Sequence, residues 1–531
     1  MSRAQAPMPR LPLPIHPSKS TRRQTWPYKG LEYNLDDFAK PRIVTLSDLN
    51  DSENPAKWTS RKKMINLILI SIQGTLAPIA SSLLAVANLS VALDFKLTDL
   101  YTPNLPVATF LIGLGIGPLY LAPCSEVYGR RLVFNLSLAA FTLINVGCAL
   151  APSIAALSVM RFFSGLFGSA GPGIGSSIIA DMYPREKRGK AQAIYNFGPT
   201  SGPILGGLFG SFIIAGTGSW RWMMWLMVIF PGATTIASAL IIKETYAPYL
   251  IKKKAQLIER KSGRKCNAFI SKKDAPMLLR NAIIRPIKML TQSPICMVMS
   301  LYMSLIYGIL YLRLVTLPLL YGPVPKFGLF CYKWNYNLTG LAYLGPGIGM
   351  FAGTAISILY MNRSYKWMAK RATRNISPEV ALKNAKVAQP EFRIPFMLLG
   401  MIIVPVGNII FAWSAEGELH WSIPLIGAAI GALGTVMAYT CIQSYMVDAF
   451  EKYAASALAT MTVCRSVMGC VFSIIGFELY RSLGYGWGTM VVSFICIAMI
   501  PIPIGLYYYG PRLRKHKLSL RISLTKSSPT W

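Results

Sequence analysis

The sequence predicts an all-α membrane protein in which twelve transmembrane helices form two six-helix bundles. Hydrophobic residues make up 53% of the 531 residues and charged residues only 14%, whereas about a quarter of an average soluble domain is charged. Apolar runs of roughly 20 residues recur along the chain, which is the length a helix needs to cross a bilayer. A long basic segment divides these runs into two groups of six.

The hydropathy pattern places the helices and their connections in order along the chain. The first group of candidate spans is 64–86, 102–124, 132–151, 153–180, 191–216 and 222–242. The second group is 294–320, 337–361, 394–413, 421–447, 454–479 and 485–509. The resulting organisation is an amino-terminal tail, a bundle, a basic linker, a second bundle and a carboxyl-terminal tail, at residues 1–63, 64–242, 243–293, 294–509 and 510–531.

The net charge of +33 is distributed unevenly between the two sides of the predicted topology. The tails and the loops on their side hold 46 of the Lys and Arg residues, and the alternate side holds 6. This asymmetry follows the positive-inside rule, so we expect both termini in the cytoplasm and no role in nucleic-acid binding. We expect the protein to lie in the lipid bilayer of the plasma membrane, and a vacuolar or vesicle membrane is the alternative.

The residues that commonly form enzyme and metal sites are scarce or scattered. The nine cysteines form no Cys-x-x-Cys pair and lie mostly in apolar runs, and the sequence has only three histidines. We therefore expect no metal and no catalytic residue, which disfavours a polytopic membrane enzyme. The sequence has no P-loop, which excludes an ATP-driven pump.

The fifth span contains an unusual Gly-Pro run. Its members are Gly198, Pro199, Gly202, Pro203, Gly206 and Gly207. Proline costs about 3 kcal/mol and glycine about 1 kcal/mol within a helix in water, but in a membrane small residues allow a second helix to approach closely. The pattern predicts a helix that bends against a partner.

The loop between spans two and three combines a carboxylate, a turn glycine and paired arginines. These residues are Ser125, Glu126, Gly129, Arg130 and Arg131. Such a cluster at a helix end can lock two bundles through ion pairs and then release them. The alternative is that the arginines are ordinary positive-inside residues.

Two arginines fall within the predicted spans in positions that require an explanation. Arg161 lies deep in span four, where a cation costs at least about 2.5–3.5 kcal/mol unless it faces water or a partner. It either tunes a proton site or forms a structural contact. Arg313, in span seven, either lines a cavity or extends towards the membrane surface.

A weak internal repeat relates the two halves of the chain. Asp181 follows span four, and Asp448 follows span ten. Small-residue runs begin eight residues after each aspartate, and in this register Gly198 aligns with Arg465. We expect Asp448 and Arg465 to form the second-half counterpart of the loop motifs.

Several motifs resemble those of the major facilitator superfamily. The Gly-Pro run is similar to its fifth-helix antiporter motif, the loop of Arg130 to its loop 2–3 signature, and Arg161 with Gly165 to a fourth-helix motif implicated in proton coupling. The loop departs from the signature at Ala122, Glu126 and Val127. Further motifs resemble fungal twelve-span drug:proton antiporters over about residues 50–510, at 54–58, 220–222, 244–248, 285–290, 340–345, 390–393 and 445–465.

The resemblance implies a proton-driven exporter of small amphipathic or aromatic compounds, such as drugs, toxins or a fungal secondary metabolite. It also implies that the proton gradient drives transport without a cofactor and that the protein functions as a monomer. A polyamine exporter and an uptake transporter of the same superfamily remain alternatives. Tyr307, Arg313 and Tyr343 are candidate cavity residues, although packing alone would also explain the tyrosines, and Asn88 and Asn337 are candidate glycosylation sites.

Overall fold

The computed structural model is almost entirely helical over the part of the chain that it describes. The described residues are 42–44, 53–97, 99, 102–183, 185–262, 266–268, 275–323, 329–373, 389–450 and 454–514. Most of the predicted amino-terminal tail, and the carboxyl-terminal tail beyond Arg514, lie outside them.

The first bundle consists of helices 1 to 6, and helices 1 and 4 each contain more than one helical segment. Helix 1 runs over Ser60–Leu83 and continues through a 3₁₀ turn, Leu84–Ala87, into Asn88–Asp94. Helix 4 comprises Ile154–Gly168 and Ala170–Met182. Helices 2, 3, 5 and 6 are Leu105–Tyr128, Arg130–Ala149, Arg185–Thr217 and Arg221–Ile241.

The second bundle consists of helices 7 to 12. Helix 7 is Pro294–Tyr321, helix 8 comprises Tyr336–Leu341 and Leu344–Thr373, and helices 9 and 10 are Ile394–Glu416 and Ser422–Ala449. Helices 11 and 12 begin as one helical run, Ala454–Met499, and helix 12 continues over Pro501–Arg514. Gly484 interrupts the run at φ 72° and ψ 178°, a conformation that glycine adopts without strain.

Among the described residues, eleven helical runs are long and apolar enough to cross a membrane. The last of them, Ser456–Gly510, has 55 residues. At 1.5 Å per residue it is more than twice as long as a single crossing requires. The break at Gly484 divides it into two helices, which gives the predicted twelve.

Helix packing is equivalent in the two bundles. In the first, helix 1 packs on helix 5, helix 2 on helix 4, and helix 3 on helix 6. In the second, helix 7 packs on helix 11, helix 8 on helix 10, and helix 9 on helix 12. Each pair in the first half thus has a counterpart six helices later, which is the arrangement expected of a structural repeat.

The predicted linker contains helices that hydropathy does not reveal. Ala247–Ser262 and Ala275–Gln292 are helical, and a short parallel strand pair joins Arg42–Val44 to Cys266–Ala268. The linker helices are amphipathic and basic, so their mean hydropathy is low although their periodicity is helical. The prediction of an all-α fold therefore holds for the membrane region, with one two-stranded addition outside it.

Candidate functional site

A polar and aromatic cluster lies where the two bundles face one another. We call it the Arg465 cluster, and its members are Tyr307, Tyr439, Gln443 and Arg465. Arg465 Nη1 donates to the Tyr439 hydroxyl at 2.6 Å, and its guanidinium carbon lies 4.8 Å from the centre of the Tyr307 ring. Gln443 Nε2 donates to the same Tyr439 oxygen at 2.9 Å.

Neighbours of the Arg465 cluster come from both halves of the chain. A Cβ added at Gly469, one turn after Arg465, would lie 3.4 Å from Leu111 of helix 2 and 3.4 Å from Tyr307 of helix 7. Gly115 of helix 2 packs against Ser466. The cluster thus lies beside the contact between helix 2 and helix 11.

Tyr311 connects the Arg465 cluster to the first bundle. Its ring lies 5.0 Å from that of Tyr307, and its hydroxyl is 2.7 Å from the Ser81 hydroxyl of helix 1. Tyr311 interacts electrostatically with both Arg161 and Arg465. Tyr311 is thus a shared neighbour of Arg161, which is completely buried, and of Arg465, which is half-buried.

Arg161 is completely buried between helices 1, 2 and 4. Its Nη2 donates to the Ala80 carbonyl at 2.5 Å, its Nε to the Pro106 carbonyl at 3.4 Å, and its guanidinium lies 4.3 Å from the Phe110 ring centre. Nη1 is buried without a hydrogen-bond partner in the described part of the chain. The contacts show that Arg161 does not extend to the membrane surface.

Arg313 is buried within the second bundle, with 7% of its surface exposed. It donates to the Asn408 side chain and, at 3.2 Å, to the Ala428 carbonyl, and its guanidinium lies 4.7 Å from the Phe411 ring centre. Of the two alternatives for Arg313, the structure rules out extension towards the surface. The residue borders a small cavity between helices 7, 8, 9 and 10, apart from the Arg465 cluster.

The loop 2–3 residues form an ion-paired cluster whose partners all lie within the first bundle, so in this conformation it does not lock the two bundles together. Arg130 Nη1 donates to Ser125 Oγ at 2.6 Å, and its other nitrogens lie 3.7 Å from Glu126 and 3.5 Å from Asp181. Gly129 has φ 96° and ψ 147°, which favours glycine at this turn. Arg130 is only 6% exposed, so it is more than an ordinary surface cation of the positive-inside pattern.

Glu244 completes this cluster, and the sequence analysis did not assign it a role. Its carboxylate accepts from the backbone N–H of Arg130 at 2.9 Å and of Arg131 at 3.1 Å, at the amino terminus of helix 3. It also accepts from the N–H groups of Thr245 and Tyr246. A carboxylate is favoured there because the first N–H groups of a helix lack partners within the helix.

Tyr246 covers the same cluster from outside the membrane spans. Its ring centre lies 4.8 Å from the Arg130 guanidinium. Burial raises the pKa of Tyr246, and the nearby Glu126 carboxylate adds to the rise, so the phenol stays neutral against the cation.

Replacing Glu244 with glutamine should lower the stability of the first bundle. The neutral amide retains an acceptor but loses the charge attraction to the amino terminus of helix 3, a loss of about 1 kcal/mol. We expect a lower unfolding temperature of the purified protein in detergent. Glu259→Gln is the matched control, because Glu259 is exposed on a linker helix. Equal unfolding temperatures for Glu244→Gln and wild type would contradict the capping role.

In the second bundle, Asp448 pairs with Arg393. Asp448 Oδ2 accepts from Arg393 Nε at 2.6 Å, at the start of helix 9, and Arg393 lies 5.0 Å from the Tyr365 ring centre. This repeats the relation of Arg130 to Asp181, because both join the start of one helix to the end of the next. Arg465 takes no part in this pair and belongs to the central cluster, so the structure does not bring Asp448 and Arg465 together.

The Gly-Pro run does not interrupt helix 5, which continues through Pro199 and Pro203. Gly198, Gly202 and Gly206 face helix 1, where Cβ atoms would lie 2.0 Å from Thr75, 2.4 Å from Pro78 and 2.2 Å from Ser82. The Ser82 hydroxyl donates to the Pro203 carbonyl at 2.6 Å. The close partner of the run is thus helix 1 of the same bundle.

Gly207 faces the other bundle and contacts Tyr343. A Cβ at Gly207 would lie 2.4 Å from the Tyr343 ring, whose hydroxyl donates to the Leu314 carbonyl at 2.7 Å. Tyr343 is fully buried, so in this conformation it closes the interface between helices 5 and 8 and does not line a cavity.

The candidate glycosylation sites differ in exposure. Asn88 is 7% exposed and donates to Asn104, which argues against its modification in this conformation. Asn337 is exposed, but Thr339 of its sequon is buried and donates to the Tyr321 carbonyl at 3.2 Å. Within the described residues, no group of three or more His, Cys, Asp or Glu side chains could hold a metal.

Comparison with known proteins gives consistent matches over most of the chain. The profile of the Major Facilitator Superfamily matches residues 70–473. The MFS-type transporter atr4 of Stereocaulon alpinum is 36% identical over 484 residues, covering 90% of this chain and 83% of that protein. The efflux pump radE of Floropilus chiversii is 34% identical over 478 residues, with coverage of 90% and 85%.

Solved structures match the fold at low sequence identity. The proton:xylose symporter XylE bound to 6-bromo-6-deoxy-D-glucose superposes with a TM-score of 0.60 at 13% identity, covering 85% of this chain and 96% of that one. The inward-open xylose transporter XylE from E. coli gives a TM-score of 0.57 at 13% identity, with coverage of 82% and 95%. This likeness shows the twelve-helix architecture alone.

Proposed function

The chain belongs to the major facilitator superfamily and is a membrane transporter, not an enzyme, and we propose that it exports small amphipathic or aromatic compounds in exchange for protons. The observation that supports this most is the Arg465 cluster, which places tyrosine rings and a half-buried cation beside the interface of two bundles of equivalent packing. The relative named as an efflux pump favours export over uptake.

The contacts between the bundles are compatible with alternating access. Helices 1 and 7 meet through the hydroxyls of Ser81 and Tyr311, and helices 5 and 8 through Gly207 and Tyr343. Rocking of one bundle against the other would separate these contacts at one end and form others at the opposite end. The ion-paired clusters of Arg130 and Arg393 would hold each bundle rigid during this motion.

Arg161 is proposed as the residue that adjusts the proton site. A guanidinium keeps its proton under ordinary conditions, so Arg161 acts on a neighbour and does not transfer a proton itself. In the described residues, carboxylates lie towards the ends of the spans, as Asp94 and Glu478 do at one end and Asp181 and Asp448 at the other. Tyr311, between Arg161 and Arg465, is the neighbour through which the two regions communicate.

The proposal is tested by dye accumulation in cells with and without the protein. Fluorescent aromatic dyes of neutral, cationic and anionic charge should accumulate less in expressing cells, and a proton uncoupler should remove the difference. An unchanged difference after uncoupling would contradict proton coupling, and greater accumulation in expressing cells would indicate uptake. Compounds from a neighbouring biosynthetic gene cluster would then be tested in the same assay.

We further propose that both termini are cytoplasmic, on the basis of the charge asymmetry. The proposal also includes a functional monomer in the plasma membrane. A reporter fused after Trp531 should be protected from external protease in intact cells. Cleavage of the reporter in intact cells would place the carboxyl terminus outside and would contradict this orientation.

A further inference from the structure

We propose that the Arg465 cluster is a binding subsite for an anionic group, a carboxylate or phenolate, on an aromatic substrate. This inference rests on the proposed export function and specifies the substrate class at the same interface.

Arg465 has no counter-ion in the described part of the chain. Its polar contact is the neutral Tyr439 hydroxyl, and none of its nitrogens pairs with a carboxylate. Glu478, on the same helix, is 13 residues away, which is about 20 Å along the axis. Asp448 is bonded to Arg393. Arg465 is half-buried, and a cation there without an opposite charge is poorly compensated. An anion that enters the interface would gain Arg465 as an ion-pair partner.

The Arg465 cluster contains more hydrogen-bond donors than its own acceptors satisfy. Arg465 Nε is buried and makes no hydrogen bond with the described residues. The Tyr439 oxygen accepts from both Arg465 and Gln443, which leaves its own hydrogen free to donate. Two donors, one of them charged, are therefore unused, and an anionic oxygen is the strongest acceptor for such groups.

The surroundings suit an aromatic body attached to that anion. The Tyr307 ring lies against Arg465 and next to Tyr311, with 5.0 Å between the two ring centres. Rings at such distances pack favourably with a further aromatic group. Leu111 and Gly469 provide apolar surface from opposite bundles. A compound held here would touch both bundles, as alternating access requires.

The test measures binding of two probes that differ in charge but little in shape. Full-length protein in lipid nanodiscs is dialysed to equilibrium against radiolabelled 1-naphthoate or 1-naphthamide, with empty nanodiscs as background. We expect wild type to bind 1-naphthoate about tenfold more tightly than the neutral amide, because the hydrogen bonds to the anion are charge-assisted. Arg465→Gln should abolish this preference, and Arg465→Lys should retain part of it.

Two further variants keep the test decisive. Tyr439→Phe should weaken 1-naphthoate binding more than 1-naphthamide binding, even if Arg465→Gln does not fold. Arg481→Gln is the matched control, since Arg481 is exposed near the end of helix 11 and should leave the preference unchanged. A merely structural role of Arg465 would lower both affinities together and leave their ratio intact.

The outcomes separate this inference from the proposed function. The inference is overturned if wild type shows no preference for 1-naphthoate, or if folded Arg465→Gln retains it. Because binding is measured at equilibrium without a gradient, loss of uncoupler-sensitive export with the preference intact would contradict only the proposed function. Proton-driven export without the preference would contradict only the anionic subsite.

Discussion

Gly202→Leu should reach the membrane but export at less than about a tenth of the wild-type rate. A Cβ at this position would lie 2.4 Å from the Pro78 Cβ of helix 1, so even the first atom of the side chain does not fit. Overpacking of this kind costs about 1–3 kcal/mol and displaces the helices that surround it. Separation of helices 1 and 5 would also stretch the bond from Ser82 to the Pro203 carbonyl, which holds the two helices together.

Gly216→Leu is the matched control on the same helix, because a Cβ at Gly216 meets nothing within 4 Å. Both variants introduce the same side chain into helix 5, so a difference between them reports the contact with helix 1. Export and surface abundance are measured together to separate loss of transport from loss of protein. Full export by Gly202→Leu at wild-type abundance would show that close packing of the Gly-Pro run is unnecessary.

The membrane architecture was predictable because burial in lipid requires long apolar runs, and these are visible in composition alone. Helix ends were less accurate, as the extension of helix 1 to Asp94 shows. Polar and apolar residues are mixed over residues 88–94, so hydropathy falls gradually there and does not mark the end of the helix. The linker helices were missed for a similar reason, since amphipathic basic helices have low mean hydropathy.

Which side chains meet in three dimensions was harder to predict. Glu244 and Arg130 are more than a hundred residues apart, and their contact follows from the packing of helix 3 on helix 6. The sequence repeat aligned Arg465 with Gly198 and thereby suggested a motif with Asp448. In space the repeat instead relates Arg393–Asp448 to Arg130–Asp181, because the helix pairs, and not the spacing along the chain, determine the partners.

Arg161→Ala should abolish uncoupler-sensitive export while the protein still reaches the membrane. The substitution removes a cation that is completely buried and leaves the Ala80 carbonyl without its donor. Arg161→Lys should retain the charge but still impair coupling. A single ammonium group lacks the planar arrangement with which Arg161 contacts the carbonyls of Ala80 and Pro106 on two helices.

A difference between driven and undriven transport distinguishes coupling from structure. If Arg161 adjusts the proton site through Tyr311, substrate exchange down its own gradient should survive in Arg161→Ala, because binding at the Arg465 cluster does not require the proton step. A structural role would instead reduce driven and undriven transport together, along with surface abundance. The coupling role is wrong if Arg161→Ala reaches the surface and exports against a gradient at the wild-type rate, and Arg161 then only joins helices 1, 2 and 4.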